Sequence, residues 1–246
     1  MDLSEVRPGS ATRHPWELAR ARAIFDILRC RGSFSSILDY GCGDGFTGRE
    51  LQKAFAASEL VGVDTELSES ACRVESVAEG RHELTRDESR LGDRRFDLLL
   101  LCDVIEHVPD DREFLRGVVQ RRLRSQGLAL ITVPAFQALF SEHDRALRHY
   151  RRYSQATLED VVRGAGLQIL QGGYLFSSLL LPRLISKFRD AVRPATHHGI
   201  GAWQGGPFAT KWLLRALALD NAALLRANRL GVNIPGLSAW ALAKTP

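Results

Sequence analysis

Ile37-Leu38-Asp39-Tyr40-Gly41-Cys42-Gly43-Asp44-Gly45-Phe46-Thr47-Gly48 is the stretch on which the fold turns. Two apolar residues run into Asp39, glycines follow at 41, 43 and 45, and Phe46 opens an amphipathic segment. That order reads as a buried strand, a tight turn and the start of a helix. Glycine suits such a turn because it reaches positive φ without a Cβ clash and lets a ligand approach the backbone. The helix start adds unpaired N–H groups, which attract a polar or anionic ligand. A nucleotide-like ligand across the end of the first strand is therefore expected, against the plainer alternative of an ordinary glycine-rich turn.

Two phosphate motifs are disfavoured by the same residues. Aligned on G-x-G-x-x-G, Gly41 and Gly43 put Phe46 where the third glycine belongs, which speaks against a nicotinamide enzyme. A Walker loop needs Gly-Lys-Ser/Thr before its helix, and that place reads Gly45-Phe46-Thr47. A second acid supports a sugar-bearing ligand instead. Glu59–Asp64 is a short apolar strand ending in a carboxylate 19 positions after Gly45. In a βαβ unit such an acid accepts hydrogen bonds from both ribose hydroxyls. The competing reading makes Asp64 an exposed residue at a helix start, with Thr65 and Ser68 as caps.

The run Asp39–Gly45 resembles the acidic-x-Gly-x-Gly-x-Gly loop of class I S-adenosylmethionine-dependent methyltransferases. Phe96–Val108, FDLLLLCDVIEHV, resembles that family's fourth strand and its Glu-His-Val exit. His143–Ser154, HDRALRHYRRYS, is similar to a segment of a bacterial small-molecule and lipid branch. The likeness covers about 35–173. It implies S-adenosylmethionine as cofactor, with the methionine part against Gly41, Cys42 and Gly43 and its amino group near Asp39. It further implies Asp64 on the ribose, Asp87 on the adenine amine, and the Cys102 and Asp103 backbone along the methionine end, with His107 close by. A sulfonium methyl is already activated, so the protein supplies alignment and, where needed, deprotonation. No metal is required by that chemistry and no metal ligand set is read. His107, His143 and Tyr150 are the candidate proton acceptors.

The 246 residues suffice for one α/β domain with insertions, and 45% hydrophobic residues can bury a core. No run of 18 apolar residues occurs, and the opening MDLSEVRPGSATRHP lacks the apolar stretch of a signal peptide. Cys30, Cys42, Cys72 and Cys102 never fall as CxxC, which argues against a zinc site or a disulfide framework and suits the cytoplasm. His197-His198 lacks a partner at ligand spacing. A net charge of +4, carried mostly by arginine, is a weak nucleic-acid signal.

In chain order, residues 1–13 read as disordered or loosely attached. A helix spans about 14–29, with Trp16, Ala19, Ala23, Ile24 and Ile27 on one stripe. Strands are expected over 36–40, 60–64, 81–85, 95–102, 127–133 and 167–173, and a last one over 237–244. Helices are expected over 46–56, 68–78, 109–124, 154–162, 177–189 and 207–229. Such alternation implies a doubly wound parallel sheet, with ligands at the carboxyl ends of its strands. The family likeness makes it a three-layer, mostly parallel seven-stranded sheet whose last strand is antiparallel beside the sixth. The divisions are a helical cap over 1–34, a cofactor-binding core over 35–175 and C-terminal helices with a final strand over 176–246.

Inside the core, 134–153 reads as an insertion beside the site. Its arginines suit a substrate pocket, nucleic-acid contact, or pairing with local acids such as Glu142 and Asp144. Residues 190–206 read as a flexible connection. The apolar C-terminal helices pack on the core, enclose a greasy substrate, touch a bilayer surface or form a dimer face. Function is therefore expected to be methyl transfer to a small-molecule or lipid-like acceptor. The alternatives are a non-catalytic binding or scaffold protein, and an RNA or protein methyltransferase. The Asn-Pro-Pro-Tyr type of signature is absent, since the fourth strand exits as Cys102-Asp103-Val104-Ile105, which disfavours attack by an amide or adenine nitrogen.

Overall fold

The computed structural model describes residues 13–192 and 205–246. Most of the two stretches expected to be loose, 1–13 and 190–206, lies outside that range. Among the described residues one eight-stranded sheet runs in the order β3-β4-β2-β1-β5-β6-β8-β7. Its strands are β1 (Ser36–Tyr40), β2 (Glu59–Val63), β3 (Arg73–Val77), β4 (Gly80–Thr85), β5 (Phe96–Cys102), β6 (Leu123–Pro134), β7 (Gln168–Leu175) and β8 (Ser238–Lys244). β4, β2, β1, β5 and β6 pair in parallel, as expected of strands joined through helices. β8 inserts antiparallel between β6 and β7, so the last strand sits beside the sixth expected strand and completes the sheet.

Helices cover both faces. α1 (Pro15–Leu28), α2 (Phe46–Phe55) and α7 (Pro207–Arg229) lie on one side, burying Ile24, Ile37, Leu98, Leu100 and Trp240. α3 (Asp111–Arg122) and α5 (Gln155–Gly164) lie on the other, over Leu38, Leu99, Leu101 and Ile131. Leu98–Leu101 of β5 are fully buried, which explains their unbroken apolar run. α4 (Glu142–Ala146) belongs to the insertion after β6, and α6 (Leu180–Val192) follows a short 3₁₀ turn after β7. Pro182 falls in the first turn of α6, where its missing N–H costs no helical bond.

One expected helix is corrected. Residues 68–78 form a single 3₁₀ turn, Glu69–Ala71, and then the edge strand β3, which hairpins onto β4 with Arg73 opposite Leu84. This adds one strand to the seven expected. Val74 and Val77 favour extended backbone, and Gly80 allows β4 to pass so close to Ser58 that a Cβ would stand 2.1 Å from its carbonyl oxygen. Charged Arg73 and Glu75 keep the exposed edge polar.

Candidate active site

The chain leaves β1 through Gly41, Gly43 and Gly45 at φ of 72°, 55° and 77°. The Gly41 and Cys42 amides donate to the Val63 carbonyl at 2.7 and 3.2 Å, tying the bend to the end of β2. A Cβ on Gly41 would lie 2.4 Å from Val104 Cγ2, so a larger residue cannot be accommodated there without a shift. Asp64, one residue beyond β2, accepts the Gly43 N–H on Oδ2 at 2.8 Å and the Glu66 N–H on Oδ1 at 2.9 Å. Its carboxylate therefore faces the bend.

Of these groups Gly41, Val63 and Asp64 border a cavity of about 480 Å³ at the carboxyl ends of β1, β2 and β5, and the buried Gly43 and Gly45 stand behind it. The remaining wall includes Tyr40, Val104, His107 and Phe114, with Leu147 and Arg148 from the insertion. The Tyr40 hydroxyl donates to Glu88 at 2.7 Å, and its ring meets Phe114 edge-on at 5.7 Å. The volume falls in the range of small-ligand sites. The cleft has a backbone bend too close to Val104 for a Cβ, a carboxylate beside that bend and an aromatic wall, which together fit an adenosyl group.

The other expected cofactor residues divide in two. Asp103 lines the cavity, with its backbone at φ 59° and its N–H on the Thr132 carbonyl at 2.9 Å. Asp39 and Cys42 stand behind the bend rather than in the cavity lining. Asp39 is buried and accepts the Gly48 N–H at 3.1 Å, anchoring the first turn of α2. Burial raises its carboxyl to about 6. Cys42 and Cys102 are also buried, and desolvation pushes both thiols up, Cys102 to about 12, so neither is a nucleophile. Asp87 is exposed and caps Ser89 N–H at 2.9 Å, outside the cavity lining.

A second cavity of about 230 Å³ adjoins the first, and the two share Asp103, His107 and Leu147. Trp16 of α1, Pro134 at the end of β6, Leu179 and Leu237 make it greasy, while Glu106, His143, His149, Arg152 and Arg183 supply its polar groups. Arg20 of α1 reaches under it to ion-pair with Asp103. Burial lowers the pKa of the His143 imidazole, and nearby Arg183 does so further. Tyr150, the third candidate base, is more than half exposed and outside both linings.

Arg152 ties the insertion to itself, and Arg151 ties it to α3. Asp144, wholly buried, accepts from Arg152 Nε at 2.7 Å and Nη2 at 3.1 Å, from the Ser141 amide at 2.9 Å, and lies 3.1 Å from His149 Nδ1. Burial would raise that carboxyl, but His149 and Arg152 hold it well below the usual range. Arg151 pairs with Asp111 at 3.0 Å, and Tyr153 donates to the same carboxylate at 2.7 Å. Pairing with a local acid thus accounts for Arg152, which also borders the second cavity, whereas Arg151 reaches Asp111 on α3.

Several site residues were missed by sequence reading. Arg20 carries no motif and is brought to the cleft by the chain path alone, while Tyr40 and Asp144 lie within quoted motifs but were assigned no place in the site. Glu106 was visible as part of the Glu-His-Val exit. Its carboxyl is fully buried and neither oxygen has a hydrogen-bond partner. Burial, reinforced by the Asp103 carboxylate, raises its pKa well above the ordinary carboxyl value. Among the described residues, Glu106, His107 and His149 form the one group whose ligating atoms all lie within 4.8 Å of one another.

Comparison with known proteins agrees with this geometry. The model of a family described as a methyltransferase domain matches residues 16–172. A mitochondrial ubiquinone biosynthesis O-methyltransferase of Schizosaccharomyces pombe is 26% identical over 132 residues, covering 51% of this chain and 48% of the relative. The chain thus spans about half the length of the curated relative it matches. Similar solved structures include a SAM-dependent methyltransferase from Archaeoglobus fulgidus, at TM-score 0.54 and 18% identity, covering 93% of this chain and 94% of that one. The N-methyltransferase NodS from Bradyrhizobium japonicum, in complex with S-adenosyl-L-homocysteine, has TM-score 0.54 and 12% identity, covering 100% and 95%. At those identities the structures show the shared fold. The family match spans most of the core that builds the glycine bend and the Asp64 strand end, and the chain therefore belongs to the methyltransferase domain family, with S-adenosylmethionine as its cofactor.

Proposed function

We propose that the protein methylates the oxygen of a small, partly apolar acceptor held in the second cavity. The carrying observation is the shared wall: Asp103, His107 and Leu147 border both the cofactor-sized cleft and the greasy one. Two ligands filling these spaces meet at that wall, which is the arrangement in-line transfer needs. S-adenosylmethionine supplies an activated methyl when bound. Asp64 accepts the ribose hydroxyls, and the Gly41–Gly43 backbone and Asp103 border the methionine end. Trp16, Leu179 and Leu237 exclude water around the acceptor. His143, kept neutral by burial, takes the acceptor proton. The choice of oxygen follows the name of the fission-yeast relative. The transfer step itself calls for no metal.

A lipid-like acceptor is favoured by the exposed apolar residues of α6, which borders the second cavity, and of α7. Leu181 and Ile185 of α6 and Phe208, Trp212 and Leu219 of α7 are exposed, each by more than half. Lys211 precedes Trp212 in the sequence, and Arg215, three positions on, lies over its ring at 5.8 Å. This pattern suits peripheral contact with a lipid surface. No described helix is long and apolar enough to cross a membrane. Four free cysteines fit a reducing cytoplasm.

The test is incubation of the purified protein with methyl-tritiated S-adenosylmethionine and either a metabolite and lipid extract, bulk RNA, or mixed protein. Label in an organic-extractable small molecule, lost in Asp64→Ala, is the expected result. Label only in RNA or protein favours that alternative acceptor. Tight S-adenosylhomocysteine binding without any labelling favours a binding protein.

A further inference from the structure

Glu106 poses an unsolved problem for the core. A buried carboxyl with both oxygens unpartnered costs several kcal/mol relative to water, and such a group calls for a compensating partner. It lines the second cavity, beside two imidazoles. The His107 and His149 rings meet edge-on with centroids 4.6 Å apart. His149 Nδ1 faces the Asp144 carboxylate at 3.1 Å, which sets the tautomer and turns Nε2 outward as the electron-pair donor. Asp144 is itself locked by Arg152 and by the Ser141 amide. The two segments that carry the three groups are stitched together, because Tyr150 N–H donates to the Glu106 carbonyl at 2.7 Å. These are the features of a ligand set supported from behind.

We propose that Glu106, His107 and His149 bind one divalent transition-metal ion, with Zn²⁺ as the first choice, at the junction of the two cavities. Two imidazole nitrogens and one carboxylate oxygen suit Zn²⁺ and its neighbours and ill suit Mg²⁺ or Ca²⁺, which prefer all-oxygen shells. Bonds of about 2.1 Å place tetrahedral ligand atoms about 3.4 Å apart, so the present spread of up to 4.8 Å closes by small rotations of the two rings and the carboxyl. Three protein ligands leave at least one position open, and that position faces the acceptor cavity. The ion then fixes the acceptor through an oxygen lone pair, and the substrate class narrows to hydroxylated molecules with a hydroxyl or an adjacent oxygen pair able to bind a metal. This role rests on the methyltransferase reading, whereas the ion site stands on the ligand geometry alone. It departs from the expectation, drawn from cysteine and histidine spacing, that the chain has no metal site. Spacing misses it because His149 lies 42 positions beyond His107 in the sequence.

The experiment uses untagged full-length protein, stripped with chelator and titrated with Zn²⁺ by calorimetry and with Co²⁺ by visible absorption. One Zn²⁺ per chain, with tetrahedral Co²⁺ bands, is expected. Glu106→Gln and His149→Gln, which keep side-chain size, should each weaken binding about tenfold or more. Circular dichroism and S-adenosylhomocysteine affinity serve as folding controls for both. No uptake at micromolar Zn²⁺, or uptake unchanged in both folded variants, overturns the proposal. Zn²⁺ binding without S-adenosylhomocysteine binding would leave the ion site standing and remove its methyl-transfer role. S-adenosylhomocysteine binding without Zn²⁺ binding would do the reverse.

Discussion

Arg20, buried on α1, ion-pairs with Asp103, whose backbone at the end of β5 sits at φ 59°. A helix outside the parallel core thereby holds the residue that borders both cavities. Left-handed backbone at an aspartate is uncommon and tends to persist where surroundings enforce it. Arg20→Met should cost about 3 kcal/mol in urea unfolding, because it strands a partly buried carboxylate. It should also weaken cofactor binding, and Arg20→Lys should recover part of both losses.

Gly41→Ala should lower S-adenosylhomocysteine affinity sharply in calorimetry. Its Cβ would stand 2.4 Å from Val104 Cγ2, at a φ of 72° that alanine tolerates poorly. The double variant Gly41→Ala, Val104→Ala removes the clash but not the φ penalty. It should therefore recover only part of the affinity.

Asp64→Ala should abolish measurable cofactor binding while leaving the fold intact. The carboxylate makes its two hydrogen bonds to loop amides, the buried Gly43 N–H and the exposed Glu66 N–H, outside the regular elements. Loss of charge-assisted bonds to the ribose predicts about 1.5–3 kcal/mol per bond. Unchanged affinity in a folded variant would remove the ribose assignment.

Arg152→Ala should destabilise the protein by about 3 kcal/mol, since it leaves Asp144 buried without its nearest cation, Arg183 standing at 3.5 Å. Arg151→Ala should cost less, because Arg151 is about one-third exposed. Chemical denaturation separates the two. Equal losses of turnover and cofactor binding in Arg152→Ala would fit its structural role, and a loss confined to turnover would point to acceptor contact.

Asp39 predicts a pH signature. Burial raises its folded pKa to about 6, above the unfolded value near 3.8, so the native state holds the proton more tightly. Its contribution is fully present below about pH 4 and fades as pH rises through 6. Asp39→Asn mimics the protonated form and keeps an oxygen for Gly48 N–H. Its stability relative to wild type should therefore climb between pH 4 and 6 and level off above, by an amount on the order of 1–3 kcal/mol. A flat difference profile would show that Asp39 titrates normally.

Residues that act through local rules were readable in one dimension. The Ile37–Gly48 pattern marks strand, bend and helix, because alternation of buried strand, glycine φ and helix start is set within a dozen residues. Asp64 was legible for the same reason, as a strand-end acid at a fixed distance from the bend. Residues 68–78 were misread because a short charged edge strand has neither a two-residue nor a 3.6-residue apolar rhythm, and only its pairing with β4 holds it extended. Asp87 came from likeness alone, and in the structure its side chain caps Ser89 N–H.

What the sequence determined by itself was the α/β class, the strand ends and the glycine bend, all products of short-range conformational preference. Tertiary structure alone decided which side chains share a cavity. Arg20 meets Asp103 across 83 positions, and His149 meets Glu106 only because the insertion folds back onto the turn after β5. Such meetings depend on how distant segments pack, and no local pattern records them.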